Sequence, residues 1–408
     1  MVGGNEEILA SGQTLLPEVV TRGVAEIIDE REFHHLLSKD RPLRLKMGFD
    51  PSAPDIHFGH VVGLRKLRQF QDLGHQVILI VGDWTAQIGD PSGQSITRPM
   101  LTRDQVEANA QTYLRQFFKV VDAARTEIVW QSEWFRKFTL GDVITLTSKF
   151  TVAQFLQRED FRTRWTANRP IAITELLYPL LQAYDSVSVR SDVEFGGTDQ
   201  KFNLLVGREL QQMMGQRPQQ CFLVPILVGT DGVHKMSKSL GNYIAVDDPP
   251  DDQYGKVMSL PDELIMTYFE LLTDVPSREL AEIQTELASG ANPMVAKKQL
   301  AREVTGIFWG KSEALGAEER FQNVFQKREV PDNVPEYDLS QIRGGRLSST
   351  LVGSGMVSSV SEARRLLAQR AVEIDGEVIM ADDQNIDLKA GMLIRVGKRR
   401  FLRLTDTR

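Results

Sequence analysis

Two pairs of basic side chains, far apart in the chain, have the types and spacing that handle anionic oxygens. His57 and His60 stand three residues apart in His57-Phe58-Gly59-His60, and Lys235 and Lys238 three apart in Lys235-Met236-Ser237-Lys238-Ser239. The histidines close the loop Gly48-Phe49-Asp50-Pro51-Ser52-Ala53-Pro54-Asp55-Ile56, restrained by its prolines and glycines. Before it, Leu43, Leu45 and Met47 alternate as in a strand; after it, Val61, Leu64, Leu67 and Phe70 recur as on one face of a helix. A strand-to-helix loop places the histidines at a helix N-terminus, where unpaired N–H groups and the positive end of the dipole attract a polyphosphate. Four residues alone fit a solvated turn or a metal pair equally. The two lysines lie on a Gly-flanked loop about 175 residues later, suited to reaching anionic oxygens and withdrawing; by themselves they also fit a basic surface turn.

The elements between must bring these pairs together. Val77-Ile78-Leu79-Ile80-Val81 is a continuous apolar run, as in a parallel strand covered on both faces. With the preceding strand and helix it makes a β-α-β unit, the start of a doubly wound nucleotide-binding fold whose ligands collect at the carboxyl edge of the sheet. Asp90, in Gly89-Asp90-Pro91-Ser92-Gly93, falls at that edge. It is a candidate for holding a substrate ammonium, or else an Asx-turn residue. Thr102 to Val121 reads as an amphipathic helix, Glu127 to Trp130 as a strand, and Gly141 to Trp165 as helical. In the helix Pro170 to Asp185, Tyr178, Gln182 and Asp185 are spaced i, i+4, i+7 and share one face. They form either an exposed polar stripe or a set of contacts for a small polar ligand. Ser186 to Val193 alternates as a strand, leading into Phe195-Gly196-Gly197-Thr198-Asp199-Gln200, where a ligand can approach the backbone and Asp199 can accept from a ribose hydroxyl. Phe222 to Val228 is a last buried strand before the lysine loop, and residues up to about 40 read as helical, with Val24, Ile27 and Ile28 on the apolar face.

A chain of 408 residues is too long for one ordinary core. Its 41% hydrophobic and 25% charged content is that of a soluble globular protein. One cysteine, Cys221, excludes an internal disulfide framework and any Cys-x-x-Cys zinc pair, so a reducing, cytoplasmic setting is expected. Met1 to Leu15 has no basic, apolar secretory pattern, and no apolar run approaches the ~20 residues of a membrane span. The net charge of −7 is unevenly spread. Residues 341–408 hold 12 Lys and Arg against 8 Asp and Glu, while the rest holds 36 against 47. An acidic body with a basic tail fits an enzyme carrying an RNA-reading appendage.

In that tail, Ser359-Val360-Ser361-Glu362 reads as a capping box opening a helix to Arg370, and Val372 to Val378 as a hairpin with an Asp375-Gly376 turn. A last strand pair flanks Gly397 to Arg400. Arg364, Arg365, Lys398, Arg399 and Arg400 recur on helix and hairpin, a pattern for RNA phosphates or for a solvated face.

Together these ordered blocks resemble the class I aminoacyl-tRNA synthetases, whose two signatures correspond to His57-Phe58-Gly59-His60 and Lys235-Met236-Ser237-Lys238-Ser239. Within that class the chain is most similar to the bacterial tyrosyl-tRNA synthetase family, from about Ile27 onward. The resemblance implies a Rossmann-like catalytic domain at 1–228 with a helical insertion at about 135–185. It implies further the lysine loop and a helical anticodon-side domain at 229–330, a linker at 331–344 around Pro331 and Pro335, and a small α+β RNA-binding domain at 345–408, resembling a module of a ribosomal small-subunit protein.

It implies catalytic roles for His57, His60, Lys235 and Lys238, with Asp50, Ser52, Gly59, Gly197 and Asp199 also at the ATP. Asp90, Tyr178, Gln182, Asp185 and Gln200 would hold tyrosine, Asp185 taking its phenolic hydroxyl. ATP enters as a substrate with Mg²⁺, no resident metal is expected, and the partners implied are tyrosine, tRNA(Tyr) and a second copy of the chain. Where many members carry a tyrosine that shares the substrate hydroxyl, this chain has Lys46, which shifts that recognition toward Asp185. The rival readings are a tryptophanyl enzyme of the same fold, a non-catalytic synthetase-like RNA-binding protein, and a nucleotidyltransferase using the histidine motif alone.

Overall fold

The computed structural model describes residues 18–52, 55–90, 101–325, 334–341, 346–380, 382, 388–397 and 400–406. The chain divides into two compact units, Met1–Gly310 and Lys311–Arg408.

The first unit is built on six strands: β1 (Glu26–Ile27), β2 (Arg44–Phe49), β3 (Gln76–Val81), β4 (Thr126–Trp130), β5 (Val193–Gly197) and β6 (Gln220–Val224). Their order is β1-β6-β5-β2-β3-β4, parallel except for β1. From β2 the chain winds outward through β3 and β4, then returns to the other side of β2 for β5 and β6. This is the expected doubly wound sheet, and its switch point lies between β2 and β5, where such folds open a ligand crevice.

One face of the sheet is aromatic. Phe33, Phe70, Phe195 and Phe222 are buried together, with ring centroids 5.5 Å apart for Phe70 and Phe195 and 4.7 Å for Phe195 and Phe222. The opposite face, under helices Ile173–Val189 and Lys201–Met213, is polar where β2 meets β5: Lys46 and Glu194 lie in register there, both buried.

Three stretches fold differently from their sequence pattern. Val24 to Ile28, expected on a helix, contains β1, which pairs Ile27 with Phe222 and covers the edge of β6; the helix starts later, at Glu30–Leu37, capped by Asp29. Ser186 to Val189, expected in a strand, is the last turn of helix Ile173–Val189, closed by Arg190 at φ 49°. Val187 packs with Leu210 and Val189 with Ile78, so the two valines serve different layers rather than one face of a strand. Residues 141–165 form three short helices, Leu140–Thr147, Val152–Phe155 and Glu159–Thr166, the first two restarted by threonine caps at Thr139 and Thr151.

Helices Pro250–Met258, Ile265–Leu272, Ser277–Ala288 and Pro293–Trp309 complete this unit. Arg22 fastens them to its N-terminal segment. Its guanidinium donates to the carbonyls of Phe269 and Glu270, in the last turn of helix Ile265–Leu272, and of Thr273 and Val275 just after it.

The second unit carries helices Lys311–Phe325, Leu347–Gly353 and Val360–Ala368 and the strands β7 (Glu336–Asp338), β8 (Val372–Ile374), β9 (Glu377–Val378), β10 (Leu393–Val396) and β11 (Arg400–Thr405), in the order β7-β11-β10-β8-β9. Ser359 caps its helix, and the Asp375-Gly376 turn has φ of 48° and 87°, the positive values a tight hairpin turn requires. Leu351, Leu367, Ile394 and Leu404 lie in its core. β7 pairs in parallel with β11, so the stretch read as a linker contributes a strand to this sheet. Among the described residues, no helix is long and apolar enough to cross a membrane.

Candidate active site

A cavity of about 370 Å³ opens at the carboxyl ends of β2 and β5. His57, His60, Asp50, Ser52, Gly59, Asp90, Tyr178, Gln182, Asp185, Gly197, Asp199, Gln200 and Lys235 all line it, so the switch point gathers sequence blocks that are far apart in the chain.

At the start of helix Phe58–Asp72 the geometry departs from the expected open amides. His57 is the N-cap, and its Nδ1 accepts from the N–H of Gly59 at 3.2 Å; Nδ1 of His60 accepts from the N–H of His57 at 3.2 Å. The N–H of Phe58 goes to the carbonyl of Ile244 at 3.0 Å. The first-turn donors are therefore already taken, by the rings and by the carbonyls of Ile244 and His57. With both Nδ1 atoms accepting, each neutral ring carries its proton on Nε2. Burial, with Lys238 and the neighbouring ring adding to it at His57, lowers the pKa of His57 to about 2 and that of His60 to about 4. The pair presents two neutral N–H donors, 4.1 Å apart between ring centroids, rather than imidazolium cations.

A glutamine holds the loop ahead of them. Gln116, fully buried, accepts from the N–H of Ile56 at 2.6 Å and donates to Asp55 Oδ1 at 3.1 Å and Asp247 Oδ2 at 2.8 Å.

The floor of the cavity is apolar, with Met47, Leu79, Phe195 and Leu204, and its polar groups fall into two sets. In the first, Asp50 accepts from Tyr178 OH at 2.8 Å and from Thr85 Oγ1 at 2.6 Å, while Asp90 accepts from Gln200 Nε2 at 2.6 Å with Arg158 Nη2 at 3.5 Å. Gly82 makes this possible: a Cβ there would lie 2.3 Å from both Asp50 Oδ1 and Thr85 Oγ1. Desolvation raises the pKa of Asp50 to about 7 against the hydrogen bonds from Thr85 and Tyr178, and Asp90 adds to the rise. Two carboxyl groups, a tyrosine hydroxyl and the carboxamide of Gln182 suit an ammonium. The structure thus places Asp50, expected among the nucleotide contacts, against Tyr178.

The second set is Asp185, on the same helix as Tyr178 and about 10 Å further along it at ~1.5 Å per residue. Asp185 Oδ2 accepts from Gln131 Nε2 at 2.8 Å; Oδ1 is buried, and no hydrogen bond reaches it among the described residues. Gln131 cannot turn away, since its oxygen accepts from the N–H groups of Thr85 at 3.0 Å and Trp84 at 3.3 Å. Desolvation raises the pKa of Asp185 to about 8, opposed by Lys46 and the Gln131 hydrogen bond. A buried carboxyl oxygen without a hydrogen bond, on a residue that lines the cavity, is a candidate acceptor for a ligand hydroxyl.

On the remaining side, a Cβ at Gly197 would lie 2.7 Å from Asp199 Oδ1, so a larger residue there would displace the aspartate side chain. Lys235 Nζ donates to Asp199 Oδ2 at 3.2 Å. Lys238 Nζ donates to the carbonyl of Asp55, sits 5.9 Å from the Tyr113 ring centroid, and has its pKa lowered by desolvation. Asn242 shapes the loop between them, accepting from the N–H of Ser237 at 2.8 Å and donating to Asp231 Oδ2 and the carbonyl of Lys235, both at 3.1 Å. Among the described residues no group of three or more His, Cys, Asp or Glu is placed to hold a metal.

Lys46 lies away from the cavity, wholly buried and paired with Glu194 at 2.9 Å. In the second unit Arg364 and Arg365 are exposed, Arg364 pairing with Asp382 Oδ2 at 3.1 Å. Arg400 is partly spent inside the domain, on the carbonyl of Met356 and on Glu362. Lys398 and Arg399 lie outside the described residues.

A family model described as tRNA synthetases class I (W and Y) matches residues 38–326. The chain belongs to the class I W and Y tRNA synthetase family. Within this synthetase family its relatives include the Tyrosine--tRNA ligase of Dehalococcoides mccartyi strain CBDB1, 60% identical over 95% of this chain and 97% of that one. Those of Moorella thermoacetica and Thermotoga maritima are 51% and 50% identical, over 95% of this chain and 94% and 96% of theirs. Among solved structures, a truncated Aspergillus nidulans mitochondrial tyrosyl-tRNA synthetase matches with a TM-score of 0.65 at 20% identity, over 80% of this chain and all of that one. The Archaeoglobus fulgidus tyrosyl-tRNA synthetase complexed with L-tyrosine matches with 0.60 at 24%, over 76% and 99%. Both share the synthetase fold.

Proposed function

We propose that the cavity is where this synthetase joins L-tyrosine to ATP. The chain is a tyrosine--tRNA ligase: it forms tyrosyl-adenylate and pyrophosphate, then transfers tyrosine to the 3′-terminal adenosine of tRNA(Tyr). The observation that carries the assignment of the pocket is the unpaired Asp185 Oδ1, on one helix with a Tyr178 that bonds Asp50. In this reading the phenolic hydroxyl meets Asp185, the ammonium meets Asp50, Asp90, Tyr178 and Gln182, and Gln200 lies near the carboxylate. Phenylalanine, which has no donor at that end of its ring, would leave Asp185 Oδ1 unpaired.

The tyrosine carboxylate attacks the α-phosphorus of ATP; a C–O–P linkage forms, the bond to the β-phosphate breaks, and pyrophosphate leaves with the electron pair. The nucleophile is already ionised, so no general base is needed. What the site contributes is alignment and stabilisation of charge on the leaving group. The Nε2–H groups of His57 and His60 and the ammonium groups of Lys235 and Lys238 supply the latter, with Mg²⁺ arriving on the ATP phosphates. In this reading Asp199 accepts from a ribose hydroxyl, with Ser52, Gly59 and Gly197 beside the nucleotide. In the second step the ribose hydroxyl of the tRNA end attacks the acyl carbon and AMP leaves.

An incoming ammonium favours ionised Asp50, and a phenol donating to Asp185 favours its ionised form. Tyrosine binding is therefore expected to release protons near neutral pH, fading as pH rises past the free-site values of about 7 and about 8. Calorimetry in buffers of different ionisation enthalpy measures this. Net proton uptake would contradict the assignment.

Residues 345–408 are proposed to contact tRNA through Arg364 and Arg365, supported by the basic excess and the exposure of both side chains. Replacing both with alanine should leave adenylate formation unchanged and raise the KM for tRNA several-fold at low salt, the difference from the unmodified protein shrinking as salt is raised. Unchanged charging kinetics would remove the tail from tRNA binding. Residues 1–228 and 229–330 are proposed as the catalytic and anticodon-side regions. A homodimer is proposed as well: Leu140, Ile144, Val152, Trp165 and Ile173, in one stretch of helices, are each more than half exposed, and a second copy would cover them. The setting proposed is the cytoplasm, where ATP and tRNA are found.

A further inference from the structure

Lys46 and Glu194 stand side by side in register on β2 and β5, both wholly buried, behind the cavity rather than in it. The hydrogen bonds of Lys46 Nζ go to Glu194 Oε1 at 2.9 Å, Ser186 Oγ at 2.7 Å and the carbonyl of Gln182 at 2.9 Å. A three-donor ammonium is thereby fully used, and none of its hydrogens is left for a substrate. Glu194 gathers four donors. Lys46 Nζ and Gln182 Nε2, the latter at 3.0 Å, reach Oε1; Ser186 Oγ at 3.1 Å and Gln219 Nε2 reach Oε2. The helix over this pair has glycine where the network passes: a Cβ at Gly207 would lie 2.8 Å from Gln219 Nε2 and 3.2 Å from Glu194 Oε2.

Gln182 is the member of this network that lines the cavity. A carboxamide can present either its oxygen or its NH₂, and only the oxygen attracts an ammonium. A carboxylate accepts and cannot donate, so Glu194 takes the NH₂ of Gln182. The far side is set consistently: Arg158 Nη1 donates to Asn203 Oδ1 at 3.0 Å, which turns the Asn203 NH₂ toward Gln182 Oε1 at 3.0 Å and Gln200 Oε1 at 3.1 Å. Gln200 in turn gives its NH₂ to Asp90. Three amides are thus oriented from both ends by buried or half-buried charges, and Gln182 Oε1, with one hydrogen bond from Asn203, keeps an acceptor site for the cavity.

We propose that the buried Lys46–Glu194 pair is a positioning device for the substrate's amino group, locking the Gln182 carboxamide with its oxygen available to the ammonium. This rests on the reading that Gln182 meets that ammonium. It also assigns Lys46 a part that needs no contact with the phenol. Buried ion pairs contribute little net stability against apolar residues of similar volume, which leaves room for a role in orientation.

The test is equilibrium binding of three ligands to the full-length protein: tyrosine, tyramine, which keeps the amine and lacks the carboxylate, and 3-(4-hydroxyphenyl)propionate, which lacks the amine. Lys46→Met combined with Glu194→Leu removes the pair without stranding a charge. The double variant is expected to bind tyrosine and tyramine tenfold or more weakly and to bind the amine-free ligand as the unmodified protein does. Glu194→Gln, whose amide can donate as well as accept, is expected to weaken tyrosine and tyramine binding and to leave the amine-free ligand unaffected. Equal loss for all three ligands, or no loss, overturns the proposal.

Gln182→Met is the arm for the underlying reading. If that variant binds tyramine normally, Gln182 does not meet the amine and the proposal falls with the reading. Should the double variant not fold, a crystal structure of the unmodified protein with tyrosine decides the matter. An amino nitrogen on Gln182 Oε1, with Nε2 still on Glu194, supports the proposal. A carboxamide turned away from Glu194, or an amino group out of its reach, overturns it.

Discussion

Replacing Asp185 with alanine is expected to abolish most of the preference for tyrosine over phenylalanine. Oδ1 of Asp185 is a buried carboxyl oxygen without a partner, and its place at the cavity gives a substrate hydroxyl one specific acceptor. Phenylalanine would leave that oxygen desolvated and unpaired. Sites of this kind reject the analogue lacking the hydroxyl by ~10⁴–10⁵, a range for which tyrosyl-tRNA synthetases are themselves the reference case. Removing a hydrogen bond to a charged or strongly polarised group costs about 1.5–3 kcal/mol, and stranding its neighbour Gln131 adds to this. The kcat/KM for tyrosine should therefore fall by ~10²-fold or more, while that for phenylalanine falls little or rises. Asp185→Asn, which keeps an oxygen for Gln131, should lose less. Competition kinetics with both amino acids reads the ratio directly, and retained discrimination in the alanine variant would mean that another group reads the hydroxyl.

Lys238→Ala should lower the rate of adenylate formation by ~10²–10³, the usual effect of removing one donor to developing charge. The affinity for tyrosine should stay the same. Lys238 touches none of the groups assigned to the amino acid: its ammonium rests on the carbonyl of Asp55 and near Tyr113. That carbonyl belongs to the loop that Gln116 holds against Ile56, immediately before His57. The lysine is therefore parked one step from the histidine pair, and leaving the carbonyl for a phosphate exchanges a neutral acceptor for a charged one. Rapid-quench single turnovers would measure the step, and an unchanged rate would remove Lys238 from the transition state.

Much of this site was legible in the residues because spacing and periodicity are local. The strand, loop and helix around His57 follow from alternation on one side and helical recurrence on the other. The i, i+4, i+7 face of Tyr178, Gln182 and Asp185 follows from helix geometry alone. What sequence reading missed depends on neighbours distant in the chain. Lys46 reads as the polar position of a half-exposed strand, yet a helix covers that face and Glu194, about 150 residues away, accepts its charge. An acidic residue at an interior position of the strand Val193–Gly197 was the available signal.

Gln131 and Gln116 carry no motif; each matters because a carboxamide can join a donor to an acceptor across two elements. The first-turn amides of helix Phe58–Asp72 looked open because an N-cap histidine is uncommon, and the two rings close them reciprocally. Val187 and Val189 suggested a strand because alternation alone does not separate one sheet face from two helix layers.

This cavity is proposed to activate tyrosine with ATP. Amino-acid-dependent ATP–pyrophosphate exchange on the purified full-length protein, with tyrosine, tryptophan and phenylalanine supplied separately, tests it most directly. Exchange with tyrosine, and little with the other two, is the predicted result. Exchange driven by tryptophan would mean that the pocket around Asp185 has been misassigned, and no exchange with any of the three would contradict the account of the site as catalytic.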